Sequence, residues 1–579
     1  MAMNQKVKSN SDLTFLWLAQ ILGLGTFITS CAFFYRGTDP INLPKFFCLG
    51  ITSCAILGIL GFRAKKFYNS NNKTIYFALS IFIVSLLNSF LFSGAPRIQM
   101  WFGAFARNNG FLTYFALAVC FLGASTFRKK EEIKIVLKFL LLIGLFNSIF
   151  SFLEILGFNL LKADNFFNAI IGNLGNPDFV SAFFGIFASS CFAFLIAKTI
   201  KFPIHLLLVG LIGVSLFYIK VSHSRQGLMV FIVGVFLSSL IRLYFLHSNK
   251  IYFYIEIIMT GLVTLIGILG TFNVGPLAKY IYKSSISIRI EYWSAALNML
   301  KENPLTGVGL NSYGDYYRAS RNPSALTFPG PNTFSNAAHN VYLDFAATGG
   351  LPLITAYIGI IVIIGFAALA VLRKSEHYDP IFVAILLGWT GYSIQAFISI
   401  DQIGIAILGW VCAGLLISYR NIGRDSISDL ITRDTTKGKS KRSNAPKEDL
   451  SLQSLGLKAS AIAGAVVGVL IFMPPVSKDI EWRNRFNDSN VKPILATATS
   501  WPLDENRISN TISLFLRNGL NRDALEVSRI GVKNFPRSFY IYNSIYINPE
   551  ATREQKRSAL KIMKELDPHN PAIQSLGAP

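Results

Sequence analysis

Three polar segments that adjoin long apolar runs each carry one residue suited to chemistry. Arg225 lies in "SHSRQG", Arg289 in "SISIRIEYW" and His339 in "NAAHNVYLDFAATGG". A guanidinium group binds phosphate or pyrophosphate oxygens through two parallel hydrogen bonds. A neutral imidazole takes a proton from a hydroxyl group. Together the three residue types predict a reaction between a phosphorylated substrate and a hydroxyl at a membrane edge.

Each of these residues has a simpler interpretation when it is taken alone. An arginine beside an apolar run can be a rim charge or a snorkelling side chain, and the histidine can make one structural hydrogen bond. Charge at membrane depth is nevertheless costly, so it marks a functional candidate. Arg107, in the polar segment "FGAFARNNGF", is a fourth candidate because of its position in a loop.

The composition indicates which elements must position these residues. Hydrophobic residues make up 52% of the 579, charged residues 15%, and the mean hydropathy is +0.46, which excludes an ordinary soluble domain. Apolar runs of about 18–25 residues are long enough to cross a bilayer as helices, so the sequence predicts an all-α polytopic membrane protein. We expect about thirteen spans, at 13–34, 43–62, 75–93, 111–127, 135–157, 178–199, 204–220, 226–246, 251–272, 341–371, 381–400, 402–419 and 457–473.

The distribution of Lys and Arg between the loops predicts the orientation. The N-terminus and one set of loops carry 16 basic residues, and the alternate short loops carry 7. Cytoplasmic loops are the ones enriched in Lys and Arg, so the N-terminus is expected in the cytoplasm. All four candidate residues then fall on the other side. The net charge of +23 is largely this topology signal, and the sequence contains no apparent nucleic-acid-binding module.

The same pattern divides the chain into six parts. We expect a transmembrane bundle at 1–272, a large extracytoplasmic loop at 273–340, spans ten to twelve at 341–420, a cytoplasmic linker at 421–456, the last span at 457–473 and an extracytoplasmic domain at 474–579. The linker segment "RDTTKGKSKRSNAPKEDL" is basic, polar and contains Gly, Ser and Pro. Such a composition predicts disorder.

The large loop contains an amphipathic helix that begins near Arg289. Four apolar residues recur there at helical spacing and would form one apolar face: Ile290, Trp293, Leu297 and Leu300. Pro304 ends the helix, and Gly307 and Gly309 follow as a turn. The helix is a candidate lid over a lipid headgroup.

The tail 474–579 has the pattern of short amphipathic helices. "ALEVSRIGVKNFPRS" and "SALKIMKELDPHNP" each end a helix with a proline, and Pro536 and Pro568 are 32 residues apart. This spacing is close to the 34-residue period of tetratricopeptide repeats, so we expect about two such units. A generic helical hairpin domain is the alternative.

In its motifs the chain resembles the O-antigen ligase family of bacterial membrane glycosyltransferases, whose superfamily also includes O-antigen polymerases and oligosaccharyl-to-protein transferases. The resemblance rests on "SHSRQG", "RIEYWSAALNMLKENPLTGVGLNSY" and "AHNVYLDFAATGGLPL". "FARNNGFLTY" and "GNLGNPDF" are similar to features of the repeat-bearing branch. The resemblance covers roughly residues 80–420, and the order of the three motifs on the predicted topology makes it specific.

The resemblance implies a mainly helical, GT-C-type glycosyltransferase in the bacterial inner membrane. Such an enzyme takes a glycan from an undecaprenyl-pyrophosphate carrier at the outer face of that membrane. It passes the glycan to an acceptor hydroxyl and needs no nucleotide sugar, cofactor or metal. Carried over by motif, Arg225 and Arg289, with Arg107 as a third residue, would bind the pyrophosphate, and His339 would act as base. Asp344 is not assigned as the orienting partner of His339, and that partner stays open.

The acceptor also stays open. Ligation to a lipid-linked core sugar, polymerisation of repeat units and transfer to a protein Ser, Thr or Tyr all fit the same core. The tail favours a protein acceptor or a partner protein. A transporter of a lipid-linked sugar is an alternative of another class, and it predicts internal repeats and broken helices at mid-membrane. No clear repeat relates the two halves of the sequence.

Overall fold

In the computed structural model the described residues are 13–577 apart from 163, 199, 247–249, 277, 283, 436–449 and 487–490, and every regular element among them is helical. The first fifteen α-helices are α1 (Leu13–Cys31), α2 (Asn42–Phe62), α3 (Ala64–Phe67), α4 (Lys73–Phe92), α5 (Arg97–Phe102), α6 (Phe111–Ala124), α7 (Lys130–Ile155), α8 (Pro177–Leu195), α9 (Phe202–Val221), α10 (Gln226–Tyr244), α11 (Lys250–Thr271), α12 (Ala278–Ile281), α13 (Ser284–Glu302), α14 (Tyr313–Ser320) and α15 (Ser324–Thr327). The others are α16 (Val341–Lys374), α17 (Pro380–Ile398), α18 (Ile403–Thr435), α19 (Leu450–Arg485), α20 (Val491–Ala498), α21 (Glu505–Arg517), α22 (Asn521–Asn534), α23 (Phe539–Ile547), α24 (Arg553–Leu566) and α25 (Pro571–Gln574).

Twelve of the described helices are long and apolar enough to cross a bilayer. They are α1, α2, α4, α7 to α11 and α16 to α19. These helices coincide with twelve of the thirteen predicted spans, which confirms an all-α polytopic membrane protein. The first twelve residues, on which the prediction of a cytoplasmic N-terminus falls, lie outside the described residues.

Helix α6 accounts for the remaining predicted span, at 111–127. It has 14 residues, which is about 21 Å at 1.5 Å per residue and shorter than the hydrocarbon core. The residues on either side of α6 nevertheless form hydrogen bonds at opposite faces of the bundle. On one side the Asn109 Nδ2 donates to the Asp401 carbonyl at 2.7 Å, and on the other the Asn72 Nδ2 donates to the Ser125 carbonyl at 3.1 Å. We call the side with Asn109 the site face and the side with Asn72 the basic face.

The centre of the bundle is α18. Nearly all of its membrane-level residues are buried, whereas α11 buries almost none of its own. A helix that is apolar all round belongs in the interior, and small residues let its neighbours come close. A Cβ at Gly409 would lie 2.1 Å from the ring of Tyr392, and one at Gly414 would lie 2.4 Å from the Phe121 carbonyl oxygen.

Helix α16 is broken near the site face. Gly350 has φ 70°, outside the helical region, and Pro352 follows it. The break frees backbone groups that the loop after α13 satisfies, as irregular backbone at membrane depth requires. Leu351 N donates to the Pro304 carbonyl, while Val308 N and Gly309 N donate to the carbonyls of residues 347 and 348. The segment 304–309 thereby joins α13 to the first half of α16.

The tail begins inside a long helix. α19 continues through Pro474 and Pro475 to Arg485, so the boundary expected between 473 and 474 lies within one element. Of the predicted linker 421–456, residues 436–449 lie outside the described residues, and its flanks are helical. Beyond α19, α21 pairs with α22 and α23 with α24. These two hairpins start at Glu505 and Phe539, which are 34 residues apart.

The tail docks on the long loop, residues 272–340, through a buried ion pair. Both side chains of the Arg321–Asp567 pair are fully buried, with Nη2 of Arg321 at 2.7 Å and 2.9 Å from the two carboxylate oxygens. Arg318 Nη1 adds a third bond to Asp567 at 3.1 Å. The tail and the long loop therefore share the site face.

Candidate active site

His339 lies at the end of the long loop, two residues before the first residue of α16. Its φ of 54° is in the left-handed region, which is uncommon for residues other than glycine. The backbone is held on both sides: Ala338 N donates to Asp344 Oδ1 at 2.7 Å, and the side chain of Asn340 caps α16 by accepting from Leu343 N at 3.1 Å. Asp344 thus positions the backbone of His339, and it makes no hydrogen bond to the imidazole.

The half-buried imidazole stacks on Tyr292 of α13, with ring centroids 5.4 Å apart and planes inclined by 29°. Within the described part of the chain, neither ring nitrogen of His339 has a hydrogen-bond partner. Burial, followed by the positive charges of Arg289 and Arg107, lowers the pKa of His339 to about 3. The ring is therefore neutral at neutral pH, with a free nitrogen lone pair that can accept a proton.

Arg289 connects three of the sequence motifs. Its Nη2 lies 3.0 Å from Asp178 Oδ2, and only 14% of the Arg289 side chain is exposed. Asp178 stands in the first turn of α8, and its other carboxylate oxygen accepts from Ser224 Oγ at 2.5 Å. The segments "GNPDF", "SHSRQG" and "RIEYW" therefore meet at one carboxylate.

Arg225 follows Ser224 and precedes the first residue of α10. Its side chain is exposed, and its Nη1 donates a long 3.5 Å hydrogen bond to the Tyr282 carbonyl. Arg225 is thus joined to the site through Ser224 and Asp178.

Arg107 is held from a separate loop. Its Nε and Nη2 both donate to Asn336 Oδ1, at 3.3 Å and 3.2 Å. Burial lowers the pKa of Arg107, and the negative charges of Asp344 and Asp39 oppose this shift. The structure thus brings the expected candidates Arg107, Arg289 and His339 together, with Arg225 one residue from the same network.

Three residues of the site escaped the sequence analysis: Tyr292, Asp178 and Asn336. Tyr292 follows Arg289 by three residues, a spacing that places both on one side of α13, and this was the available signal. Asp178 and Asn336 act through partners more than 100 residues away in sequence. No spacing rule could find them.

The buried face of α13 also differs from the apolar face that the sequence indicated. Ile290 and Leu297 are exposed, with 38% and 44% of their surface accessible. The buried residues are Tyr292, Ala295, Ala296 and Met299. Two alanines, Tyr292 and Met299 face the protein because α13 packs closely on α16, and Ile290 and Leu297 face outward.

One comparison with known families bears on this site. Residues 208–358, which are 151 of the 579, match the family model described as O-antigen ligase. The matched segment contains Arg225, Arg289 and His339, and it excludes Arg107 and the tail. No curated protein matches the chain significantly. The match supports a membrane glycan-transferring function in polysaccharide assembly.

Proposed function

We propose that the protein transfers a glycan from an undecaprenyl-pyrophosphate carrier to an acceptor hydroxyl. The observation that carries the proposal is the neutral imidazole of His339, with a free nitrogen, in the field of the Arg289 and Arg107 guanidinium groups. The match to the O-antigen ligase family supports it. A base next to two cations suits a reaction in which a hydroxyl attacks and an anionic group departs.

The arginines would stabilise the departing group. As the bond between the sugar carbon and the phosphate oxygen breaks, the polyprenyl pyrophosphate gains negative charge. Fixed guanidinium groups stabilise that charge without reorganising. Arg289, already oriented by Asp178, would bind the pyrophosphate together with Arg225. Arg107, from the loop between α5 and α6, would be the third arginine of this site.

His339 would accept the proton of the acceptor hydroxyl as the new bond to the sugar carbon forms. A pKa of about 3 makes the ring a weak base in the free enzyme. Two guanidinium charges contribute to that low pKa, and a bound pyrophosphate would offset them. Donor binding would therefore raise the pKa of His339 toward the range in which a general base is effective.

The position of the site separates this proposal from a transporter of lipid-linked sugars. A transporter predicts broken helices and polar residues at mid-membrane. The break in α16 at Gly350 instead bonds to the long loop through Pro304. The candidate residues also lie on the site face, outside the spanning segments, which favours a transferase.

The proposal also covers the type of glycosyltransferase, its membrane and orientation, and the nature of the tail. A GT-C-type membrane glycosyltransferase in the bacterial inner membrane, with the site face outside the cytoplasm, agrees with the 16-to-7 distribution of basic residues. The 34-residue offset between the two tail hairpins supports tetratricopeptide-like repeats. Ligation to a lipid-linked core sugar, polymerisation and transfer to protein all use this chemistry.

The test uses the full chain in lipid nanodiscs with an undecaprenyl-pyrophosphate-linked oligosaccharide. Wild-type protein should release undecaprenyl pyrophosphate and transfer the glycan. His339→Ala should lower the transfer rate by about two to four orders of magnitude while donor affinity stays nearly unchanged. His377→Ala, an exposed histidine beyond the other end of α16, is the matched control. Normal transfer by His339→Ala, or loss of its donor binding, would contradict the catalytic role.

A further inference from the structure

A cavity of about 560 Å³ lies between the long loop and the tail. Asn311 and Asn336 line it from the long loop, with Ala106 beside them, and Glu505, Tyr540 and Asn543 line it from the tail. The volume is within the roughly 300–1,000 Å³ of sites that hold small ligands. The cavity therefore has the size of a small-ligand site, and two distant parts of the chain form it.

The floor of the cavity is continuous with the candidate active site. Asn336 lines the cavity, and its Oδ1 accepts both hydrogen bonds from Arg107. Ala106, the neighbour of Arg107, lines it as well. Arg107 in turn lies close enough to His339 to lower the pKa of the imidazole. A molecule in this cavity would have its inner end near the proposed base.

The polar groups of the cavity both donate and accept hydrogen bonds. The amide of Asn543 has no partner among the described residues, and the Gln99 Nε2 bonds to Asp315 Oδ2 at 2.9 Å. Burial, followed by the charge of Glu505, raises the pKa of Asp315. A carboxyl that keeps its proton closer to neutral pH donates as well as accepts. Such groups match hydroxyls, which also do both.

Aromatic rings supply the rest of the lining. Phe334 comes from the long loop, and Phe539 and Tyr540 come from α23. A ring presents an apolar face to the C–H side of a sugar, while amides and carboxyls bond to its hydroxyls. The mixture fits a polyhydroxylated ligand.

The tail side of the cavity is fixed in place. Besides the buried Arg321–Asp567 pair, the Arg537 guanidinium lies 3.8 Å from the centroid of the Tyr316 ring. Arg537 Nε also donates to the Asp315 carbonyl at 3.3 Å. The tail is therefore a wall of the cavity as well as an appended module.

We propose that this cavity binds the terminal sugars of a saccharide acceptor and directs their hydroxyl toward His339. The inference rests on the proposed glycosyl transfer, for which it names the acceptor class. It gives the tail the role of completing the acceptor site.

Two cavity residues provide the first test. Asn543→Ala removes an unpartnered amide, and Tyr540→Ala removes a ring. Each should raise the KM for a saccharide acceptor about threefold to tenfold. Tyr540→Phe, which keeps the ring face, should restore most of the affinity. Asn534→Ala, at the end of α22 and outside the cavity, is the matched control and should behave as wild type.

The probes are the oligosaccharide released from the lipid donor, the delipidated core oligosaccharide of the native cell, and a Ser/Thr-containing peptide. Equilibrium binding is measured in the His339→Ala background, so that it does not depend on turnover. At least one saccharide should bind, and Tyr540→Ala should weaken it. Binding of the peptide alone, or equal binding by all variants, would overturn the inference.

Asp567→Ala tests the contribution of the docked tail. It leaves Arg321 buried without its partner, so the tail should detach and become sensitive to proteolysis. Saccharide binding should then fall as it does in Tyr540→Ala. Hydrolysis of the donor by water should continue, because the arginines and His339 stay in place. If the wild-type protein does not turn over the donor, the proposed function is rejected. If it does, but saccharide binding is unaffected by these variants, only the acceptor site is rejected.

Discussion

The imidazole of His339 lies against the ring of Tyr292, with centroids 5.4 Å apart and planes inclined by 29°. Tyr292 is on α13 of the long loop, and His339 precedes α16 of the bundle. The stack therefore joins α13 to α16 at the proposed base. Tyr292 is itself held by Tyr313, whose hydroxyl donates to the Tyr292 carbonyl at 2.7 Å. The ring of His339 is thus oriented by stacking, and no carboxylate among the described residues bonds to it.

Replacement of Tyr292 tests this orientation. Tyr292→Leu removes the aromatic face, so the imidazole loses its preferred angle, and kcat for transfer should fall up to about tenfold. The donor KM should stay the same because the arginines are untouched. Tyr292→Phe keeps the stack and should retain most of the activity. An equal loss in both variants would show that the hydroxyl, and not the stack, matters.

The pH dependence of the reaction tests how the pKa of His339 is set. In the free enzyme that pKa is about 3, because burial and two guanidinium charges disfavour the charged ring. The neutral, basic form is therefore present throughout the range from about pH 5 to 8, and kcat/KM for the donor should show no acid limb there from His339.

The parameter kcat reports on the donor complex, in which the pyrophosphate offsets the arginine charges. Its acid limb should therefore appear at a higher pH than any limb in kcat/KM, and activity should fall as the pH drops through it. The check is a pair of pH profiles from the same preparation. Coincident limbs in kcat and kcat/KM would rule out activation of the base by the donor.

Arginine-to-lysine exchanges test the pyrophosphate site. Lysine keeps the charge but loses the planar fork, so Arg289→Lys and Arg225→Lys should each lower transfer about tenfold or more. Membrane insertion and accumulation should stay at wild-type levels. Arg97→Lys, an exposed arginine on the same face, is the control. Wild-type turnover in the Arg289 and Arg225 variants would remove these residues from the donor site.

The broken helix makes its own prediction. A Cβ at Gly350 would lie 2.6 Å from the Pro304 carbonyl oxygen, and the φ of 70° strains any other residue. Gly350→Ala should lower the free energy of unfolding by about 1–3 kcal/mol and reduce activity, because it separates α13 from α16. Gly359→Ala lies in the same helix with open space around it and should be neutral in a thermal-unfolding measurement.

The orientation of the chain can be checked with reporter fusions. The loops of the basic face carry more Lys and Arg, so a reporter at Lys441 should be cytoplasmic. A reporter at Asp523, in the tail that shares the site face, should be on the opposite side of the membrane. Activity of both fusions in the same compartment is the result that would refute this topology.

The sequence by itself determined the spans and the residue types of the site. A span is a one-dimensional property, since the bilayer sets the length of apolar chain that must be helical. The runs at 13–34 and 341–371 could therefore be recognised without any tertiary contact. Arg225, Arg289 and His339 were recognisable for a similar reason, since each is a polar residue beside such a run.

The partners of those residues were decided only by the tertiary structure. Asp178 meets Arg289 across 111 residues and Asn336 meets Arg107 across 229, and no local pattern records such pairs. The buried face of α13 was decided in the same way, because packing on α16 selects which of its sides is buried. The docking of Asp567 on Arg321 likewise depends on where α19 ends relative to the long loop, and this position is a property of the assembled bundle.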